Sequence, residues 1–228
     1  MTGDALAHLA EVLPGETAQA WHRLAPLLPD GGFLAGGTAI AVHLRHRVSR
    51  DLDFFFEHGF DRDGLLDRLS AEHDFAATEL AEGTINGVLG TTKVQFLDAS
   101  PQTMIVPPVS IAGIRVAMLD DLLAMKLKVV GDRGQLRDYY DLMAIEQQTD
   151  FSIEQGFGLF VERYRPPVPE AAVRHALLAL GYLDDVADDP YLEGIVDRVT
   201  IERYWHRRQP QIARAMATFG SRASRDES

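Results

Sequence analysis

Hydrophobic positions change their period near the middle of the chain. From Phe33 to about Ala117 they fall in short runs: "FLA", "LDFFF", "FAATEL", "TINGVLG", "KVQFLDA" and "GIRVAM". Gly, Asn and Pro separate the runs, which predicts strands mixed with one or two helices. From Leu119 onward the period is helical, through "LDDLLAMKLKVV", "QLRDYYDLMAIEQQ", a segment from Ser152, one after Pro169, and one or two more before a polar tail at Ser221. One or two further helices are predicted ahead of the strands, from Asp4 to Leu28. The fold class is therefore α+β, a core over residues 1–118 followed by a helical domain over 119–228. No internal repeat occurs, and "VPPVS" and "RPPVP" are the only Pro-rich breaks.

Composition narrows the class. The chain has 228 residues, no cysteine and a formal net charge of −12. It is long enough to bury a core and carries no disulfide framework. No basic leader followed by an apolar stretch opens it, and no run of eighteen apolar residues occurs, so the expectation is a cytoplasmic protein that spans no membrane. The acidic balance argues against a surface that grips nucleic acid everywhere. It leaves local patches, "RHRVSR" (Arg45–Arg50) and "WHRRQ" (Trp205–Gln209), that a polyphosphate or an RNA backbone could use.

One stretch, "FLAGGTAIAVHLRHRVSRDLDFFF" from Phe33 to Phe56, holds more polar chemistry than packing needs. Phe33 to Ala35 reads as a buried strand, Gly36 and Gly37 as a tight turn, and Thr38 as the N-cap of a helix through about His46. Glycines there let a backbone approach a ligand closely, and free N–H groups at a helix start suit phosphate. A strand then begins near Asp51. Side chains on a strand alternate faces, so Asp51, Asp53 and Phe55 share one face and Leu52, Phe54 and Phe56 the other. With Cα atoms about 6–7 Å apart, the two carboxylates can converge on one hard cation or on a pair about 4 Å apart.

The second polar excess lies in "LDDLLAMKLKVVGDRGQLRDYYDLMAI", Leu119 to Ile145. Leu119, Leu122, Leu123, Leu127 and Val130 form an apolar helical stripe with Lys126 inside it, whereas Lys128 lies on the opposite face. An isolated lysine in such a stripe snorkels to water; if it instead neutralises a triphosphate, Lys126→Met is expected to keep the helix packed and weaken nucleotide binding. In the next helix Leu136, Tyr139, Tyr140 and Met143 form the core stripe, which assigns Arg137, Asp138 and Asp141 to the other face. On "TKVQFLDA" the central position of one face is Gln95, which cannot replace an anionic metal ligand: either Asp51 and Asp53 suffice, or Asp98 or Glu57 helps from another angle, or the site is degenerate. His43 and His46, close to Asp51 and Asp53, offer a weaker zinc-hydrolase reading.

The glycine pair, the interval of thirteen residues from Gly37 to Asp51 and the Asp-apolar-Asp-apolar run resemble the nucleotidyltransferase superfamily. The wording of the stretch, followed by Lys126, Arg133, Arg137, Asp138 and Asp141 in an acidic-apolar-Lys and "R…RDxxDL" pattern, is similar to the AbiEii/AbiGii-type toxins, also called MenT-like nucleotidyltransferases. The resemblance covers Phe33 to Ile145. It implies a nucleotidyltransferase-like mixed β-sheet core with helices, followed by a C-terminal helical bundle that completes an active-site cleft. It also implies transfer of a nucleoside monophosphate from an NTP to RNA, typically a tRNA acceptor end, under control of a separate antitoxin protein. Asp51 and Asp53 would ligate Mg²⁺. Gly36, Gly37, Thr38, Arg47, Ser49, Lys126, Arg133 and Arg137 would contact the nucleotide. Asp138, or alternatively Asp141, would orient the attacking hydroxyl. Kindred folds also modify small molecules such as aminoglycosides, and a member could bind a nucleotide without turnover.

Overall fold

The computed structural model of the protein describes residues 9–226, with side chains described to residue 217. The chain divides into two compact units, one ending at Leu122 and the other beginning at Leu123. In the first, a helical stretch over 9–12 and helix α1 (Gly15–Leu24) precede β1 (Gly32–Ala35) and α2 (Gly36–Leu44). Then come β2 (Leu52–Phe56), α3 (Arg62–Ser70), β3 (Phe75–Ala81), β4 (Thr84–Leu89), β5 (Thr92–Asp98), β6 (Val109–Ile111) and β7 (Ile114–Val116). The predicted helix start at Asp4, through residue 8, lies outside the described residues.

The strands form a mixed seven-stranded sheet in the order β3-β4-β5-β2-β1-β7-β6. β2 runs parallel to β5, and β1 parallel to β7; the other neighbours are antiparallel. Alternation decides the two faces. Leu52, Phe54, Phe56, Ile85, Leu89, Val94 and Phe96 are buried on one, with Phe54 stacked on Phe96 at 5.4 Å between ring centroids. α1 lies against this face, where Thr92 Oγ1 donates to Thr17 Oγ1 over 3.4 Å. Leu24, Ile40, Leu65 and Leu69 of α1, α2 and α3 are fully buried in the same unit. The opposite face carries Asp53, Phe55, Gln95 and Leu97, none fully buried. All six of the strand runs appear where the periodicity puts them. β6 was not predicted: three residues directly after two prolines carry no alternation long enough to read.

Helix α4 (Leu119–Arg133) crosses the boundary between the units. Beyond it α5 (Leu136–Gln148), α6 (Ile153–Tyr164), α7 (Pro169–Leu180), a 3₁₀ turn (Pro190–Leu192) and α8 (Arg198–Asp226) make the helical unit. Trp205, fully buried, packs edge-on to Tyr139 at 6.5 Å between centroids and donates to its carbonyl over 3.2 Å. Gly156 on α6 sits where a Cβ would lie 2.8 Å from Leu123 Cγ, so glycine allows this close approach. Arg208 on α8 donates to Glu146 of α5 and Glu154 of α6, and Tyr204 donates to Glu146 as well.

Burial alone would raise the Glu146 carboxyl, but the Arg208 guanidinium, the Tyr204 hydroxyl and the Ile153 N–H outweigh it and hold the group below its ordinary value. A carboxyl depressed in the folded state stabilises the fold above its unfolded pKa and loses that contribution as pH falls through the folded one. Glu146→Gln is expected to cost about 2 kcal/mol at pH 7. It should also flatten the acid limb of stability below about pH 4, as urea unfolding across a pH series will register.

Candidate functional site

The glycine pair lies at the junction of β1 and α2. Ala35 is extended and Gly36 takes φ +71°, a left-handed value that glycine adopts without strain. A Cβ on Gly36 would stand 2.5 Å from Asp53 Oδ2, so the missing side chain is the space the carboxylate occupies. The helix begins two residues earlier than Thr38, and Thr38 is not its cap. Its hydroxyl instead bonds the Asp51 carbonyl and Ser49 Oγ, the latter at 2.7 Å. A hydroxyl has one proton, so Thr38 donates to the carbonyl and accepts from Ser49. Ser49 N–H donates to the Val12 carbonyl over 2.9 Å, and the Arg50 carbonyl accepts from Thr17 over 3.3 Å. The irregular segment ahead of β2 is thus pinned at three consecutive residues, which fixes how Asp51 enters the strand.

Of the other positions in this stretch, Arg47 is buried and donates to the Val48 carbonyl. His43 Nε2 lies 2.7 Å from the Ala117 carbonyl, and among the described residues no group of three or more His, Cys, Asp or Glu is arranged to hold a metal ion. The His43, His46, Asp51, Asp53 quartet of the zinc reading therefore does not assemble. What remains is Asp53 on the strand beside Gly36, with Asp51 one residue ahead of the strand. Mg²⁺ suits that donor set, because it takes one or two protein carboxylates and completes its shell with substrate phosphates and water.

The register settles the third position. Gln95 stands opposite Asp53, while Asp98 pairs with Phe56 three residues further along and accepts from Ser100 N–H. Asp98 and Glu57 are therefore displaced from Asp53 by roughly 10 Å or more. Gln95 belongs to a polar row that crosses the sheet: Nε2 donates to Asn86 Oδ1 over 3.1 Å, and Asn86 Nδ2 donates to Glu79 Oε2 over 2.7 Å. Asn86 and Glu79 were not among the predicted site residues. The two-residue turns Glu82–Gly83 and Gly90–Thr91 set the pairings Glu79↔Asn86 and Asn86↔Gln95, and counting back from those turns is the signal that finds them.

In the helical unit Lys126 does not snorkel. Its side chain is 8% exposed, and Nζ lies 2.5 Å from Asp138 Oδ1 and 2.9 Å from Asp141 Oδ2. The expected charged outer face of α5 is corrected accordingly: Asp138 and Asp141 are buried, Asp141 completely. Helical spacing could not reveal this, because the partner that draws them inward lies on another helix. Asp138 Oδ2 also accepts from the Gln135 N–H over 2.9 Å, closing a capping box. Lys128, the comparison residue, is exposed and paired with Asp132 one turn on. Arg133 is exposed at the end of α4. Arg137 donates to Asp189 over 2.8 Å and lies 5.9 Å from the Tyr191 ring centroid. With Arg45 paired to Glu11 and Arg208 to Glu146 and Glu154, an arginine in each of the two basic patches already has a carboxylate partner.

Comparison with known proteins follows the same lines. Residues 24–176 match the family model described as "Nucleotidyl transferase AbiEii toxin, Type IV TA system". A protein of Aquifex aeolicus (strain VF5), "Uncharacterized protein aq_aa25", is 26% identical over 176 residues, 76% of this chain and 80% of that one. JHP933 from Helicobacter pylori shares the fold with a TM-score of 0.55 at 17% identity, over 99% of this chain and 98% of its own. MenT4, a nucleotidyltransferase toxin from Mycobacterium tuberculosis, does so with a TM-score of 0.53 at 16% identity, over 93% of this chain and 89% of its own.

Removing the cation from the buried cluster leaves two carboxylates without it. Lys126→Met is therefore expected to destabilise the protein by about 3–5 kcal/mol, where the apolar stripe alone predicts no loss. Lys128→Met should stay within about 0.5 kcal/mol of the parent. Urea unfolding of the two variants side by side measures the difference.

Proposed function

We propose, from the premise that this chain belongs to the AbiEii family of nucleotidyl transferase toxins, that it moves a nucleoside monophosphate from an NTP to an RNA acceptor, the 3′ end of a tRNA. In this reading the reaction depends on Mg²⁺, and a separate antitoxin protein restrains the enzyme in the cell. The observation that carries it is the seat of Asp53 against Gly36, on the strand that begins directly after Asp51.

In the reaction the acceptor oxygen bonds to the α-phosphorus, the bond to the bridging oxygen breaks, and pyrophosphate leaves. The protein's task is to position the groups and balance charge. Mg²⁺, when bound, draws charge from the phosphate oxygens and acidifies the attacking hydroxyl. Asp51 and Asp53 are the residues that would hold it. The N–H groups of Gly37 and Thr38, in the first turn of α2, are donors suited to phosphate oxygens, and Ser49 keeps the Thr38 hydroxyl in place. Asp138 is the residue we assign to the acceptor hydroxyl: Lys126 and the Gln135 N–H hold its two oxygens, and each keeps a lone pair to accept a proton. Asp141, wholly buried, positions Lys126. Arg133 is the exposed cation we assign to the triphosphate, while Arg137, already engaged by Asp189, takes a supporting place.

A small cationic acceptor is the second reading. The net charge of −12 and the carboxylate partners of Arg45, Arg137 and Arg208 favour it. Incubation with total tRNA, Mg²⁺ and each labelled NTP in turn decides between them. Label is expected on RNA, falling steeply as salt rises through counterion release. Label on an aminoglycoside and none on RNA would overturn the RNA assignment. Asp53→Asn is expected to lower transfer at least about a hundredfold with folding intact. Gly36→Ala should lower it too, because the added Cβ displaces the carboxylate.

A further inference from the structure

We infer that Gln95 is a neutral oxygen ligand of the cation site, and that Glu79, through Asn86, determines which end of its amide faces that site. The inference rests on the assignment of Asp51 and Asp53 as Mg²⁺ ligands and goes beyond it, because it gives a role to a residue that cannot supply charge.

The argument is one of hydrogen-bond polarity. A carboxylate only accepts, so the end of Asn86 that meets Glu79 Oε2 at 2.7 Å is its NH₂. Asn86 then turns Oδ1 to the next strand, and the end of Gln95 that meets it at 3.1 Å is in turn an NH₂. Each amide is thereby oriented by its neighbour, starting from one charged group on β3. The end of Gln95 that remains is its carbonyl oxygen, which is not turned to β4. On the side away from β4 the register neighbour of Gln95 is Asp53. Amide oxygens are ordinary ligands for hard cations. Without the relay Gln95 could as readily present an NH₂, which would repel a cation, so an unsupported glutamine would be a poor replacement for a carboxylate. Fixed in this sense, it supplies coordination without adding negative charge beside a triphosphate.

Polarity makes the proposal testable away from the site. Lysine only donates, so Glu79→Lys should reverse Asn86 and then Gln95, turning an NH₂ toward Asp53. Glu79 is exposed, and its replacement leaves the core untouched. Binding of Mn²⁺ to the full chain, in the presence of a non-hydrolysable nucleoside triphosphate, is measured by calorimetry and by water-proton relaxation. Glu79→Lys and Gln95→Met are each expected to weaken Mn²⁺ about tenfold or more, with thermal midpoints close to the parent. Combining them should add little, because the lysine acts only through Gln95. Gln95→Glu should tighten binding and remove the effect of Glu79→Lys. Parent-like Mn²⁺ affinity in both Glu79→Lys and Gln95→Met, alongside loss of binding in Asp53→Asn, would overturn the role of Gln95 and leave the two-aspartate assignment standing. Parent-like affinity in Asp53→Asn as well would overturn both.

Discussion

The arrangement of the strand unit depends on the burial of one face of β2. Leu52, Phe54 and Phe56 are all fully buried, and because strand side chains alternate, this leaves Asp53 only the other face. A slip of one residue would bury Asp53 and expose three large apolar groups, at a cost of several kcal/mol. Hydrophobic burial therefore orients a carboxylate that contributes nothing to the core. The same constraint passes along the sheet, since Val94 and Phe96 on β5 and Ile85 and Leu89 on β4 are buried by the same rule. Asp53, Gln95 and Asn86 share a face because their apolar neighbours occupy the opposite one, and the β3–β4 register adds Glu79 to the row.

In the helical unit the governing interaction is electrostatic. One lysine and two aspartates are buried together, and removing three charges from water is costly even when they pair well. Such a cluster carries a net charge of −1 and is weak support for stability, so its retention is better explained by chemistry than by packing. Lys126 holds both carboxylates at once, which fixes Asp138 more firmly than a single partner could. Tyr139, the neighbour of Asp138 in sequence, serves packing instead. Its hydroxyl, pushed up to about 12 chiefly by burial, donates to the Ala179 carbonyl and remains a neutral tether.

Much of this was legible in the sequence, and what was missed has a common cause. Alternation placed Asp53, the glycine pair announced the close approach at Gly36, and a lysine inside an apolar stripe marked Lys126. Each of those signals is local, carried by a few adjacent residues. The burial of Asp138 and Asp141 was not legible, because it depends on a partner twelve and fifteen positions away on a different helix, and a helical wheel treats acids as surface. Thr38 was misassigned for a related reason. A threonine at a helix start serves equally as a cap or as a tie to another segment, and only the return of the chain at Ser49 and Asp51 decides. The row through Asn86 and Glu79 is a different case. Two tight turns encode it, and it escapes a reading that takes strands singly.

The charge balance of the strand unit gives Gln95 its meaning. A triphosphate brings several negative charges to a chain whose net charge is already −12, and each further carboxylate at the same point raises the work of bringing it there. Two aspartates supply the anionic share of a Mg²⁺ site, and a third would strengthen the hold on the cation while repelling the nucleotide. An amide oxygen separates those effects, because it binds the cation through a dipole and leaves the net charge unchanged. Its weakness is that an amide can turn round. Placing the deciding negative charge on Glu79, three strands from Asp53, removes that ambiguity while keeping the charge itself at a distance. With strands about 4.8 Å apart, that distance is about 14 Å, beyond one Debye length in physiological salt, so the repulsion is largely screened while the polarity of the relay, which depends on contact, is not.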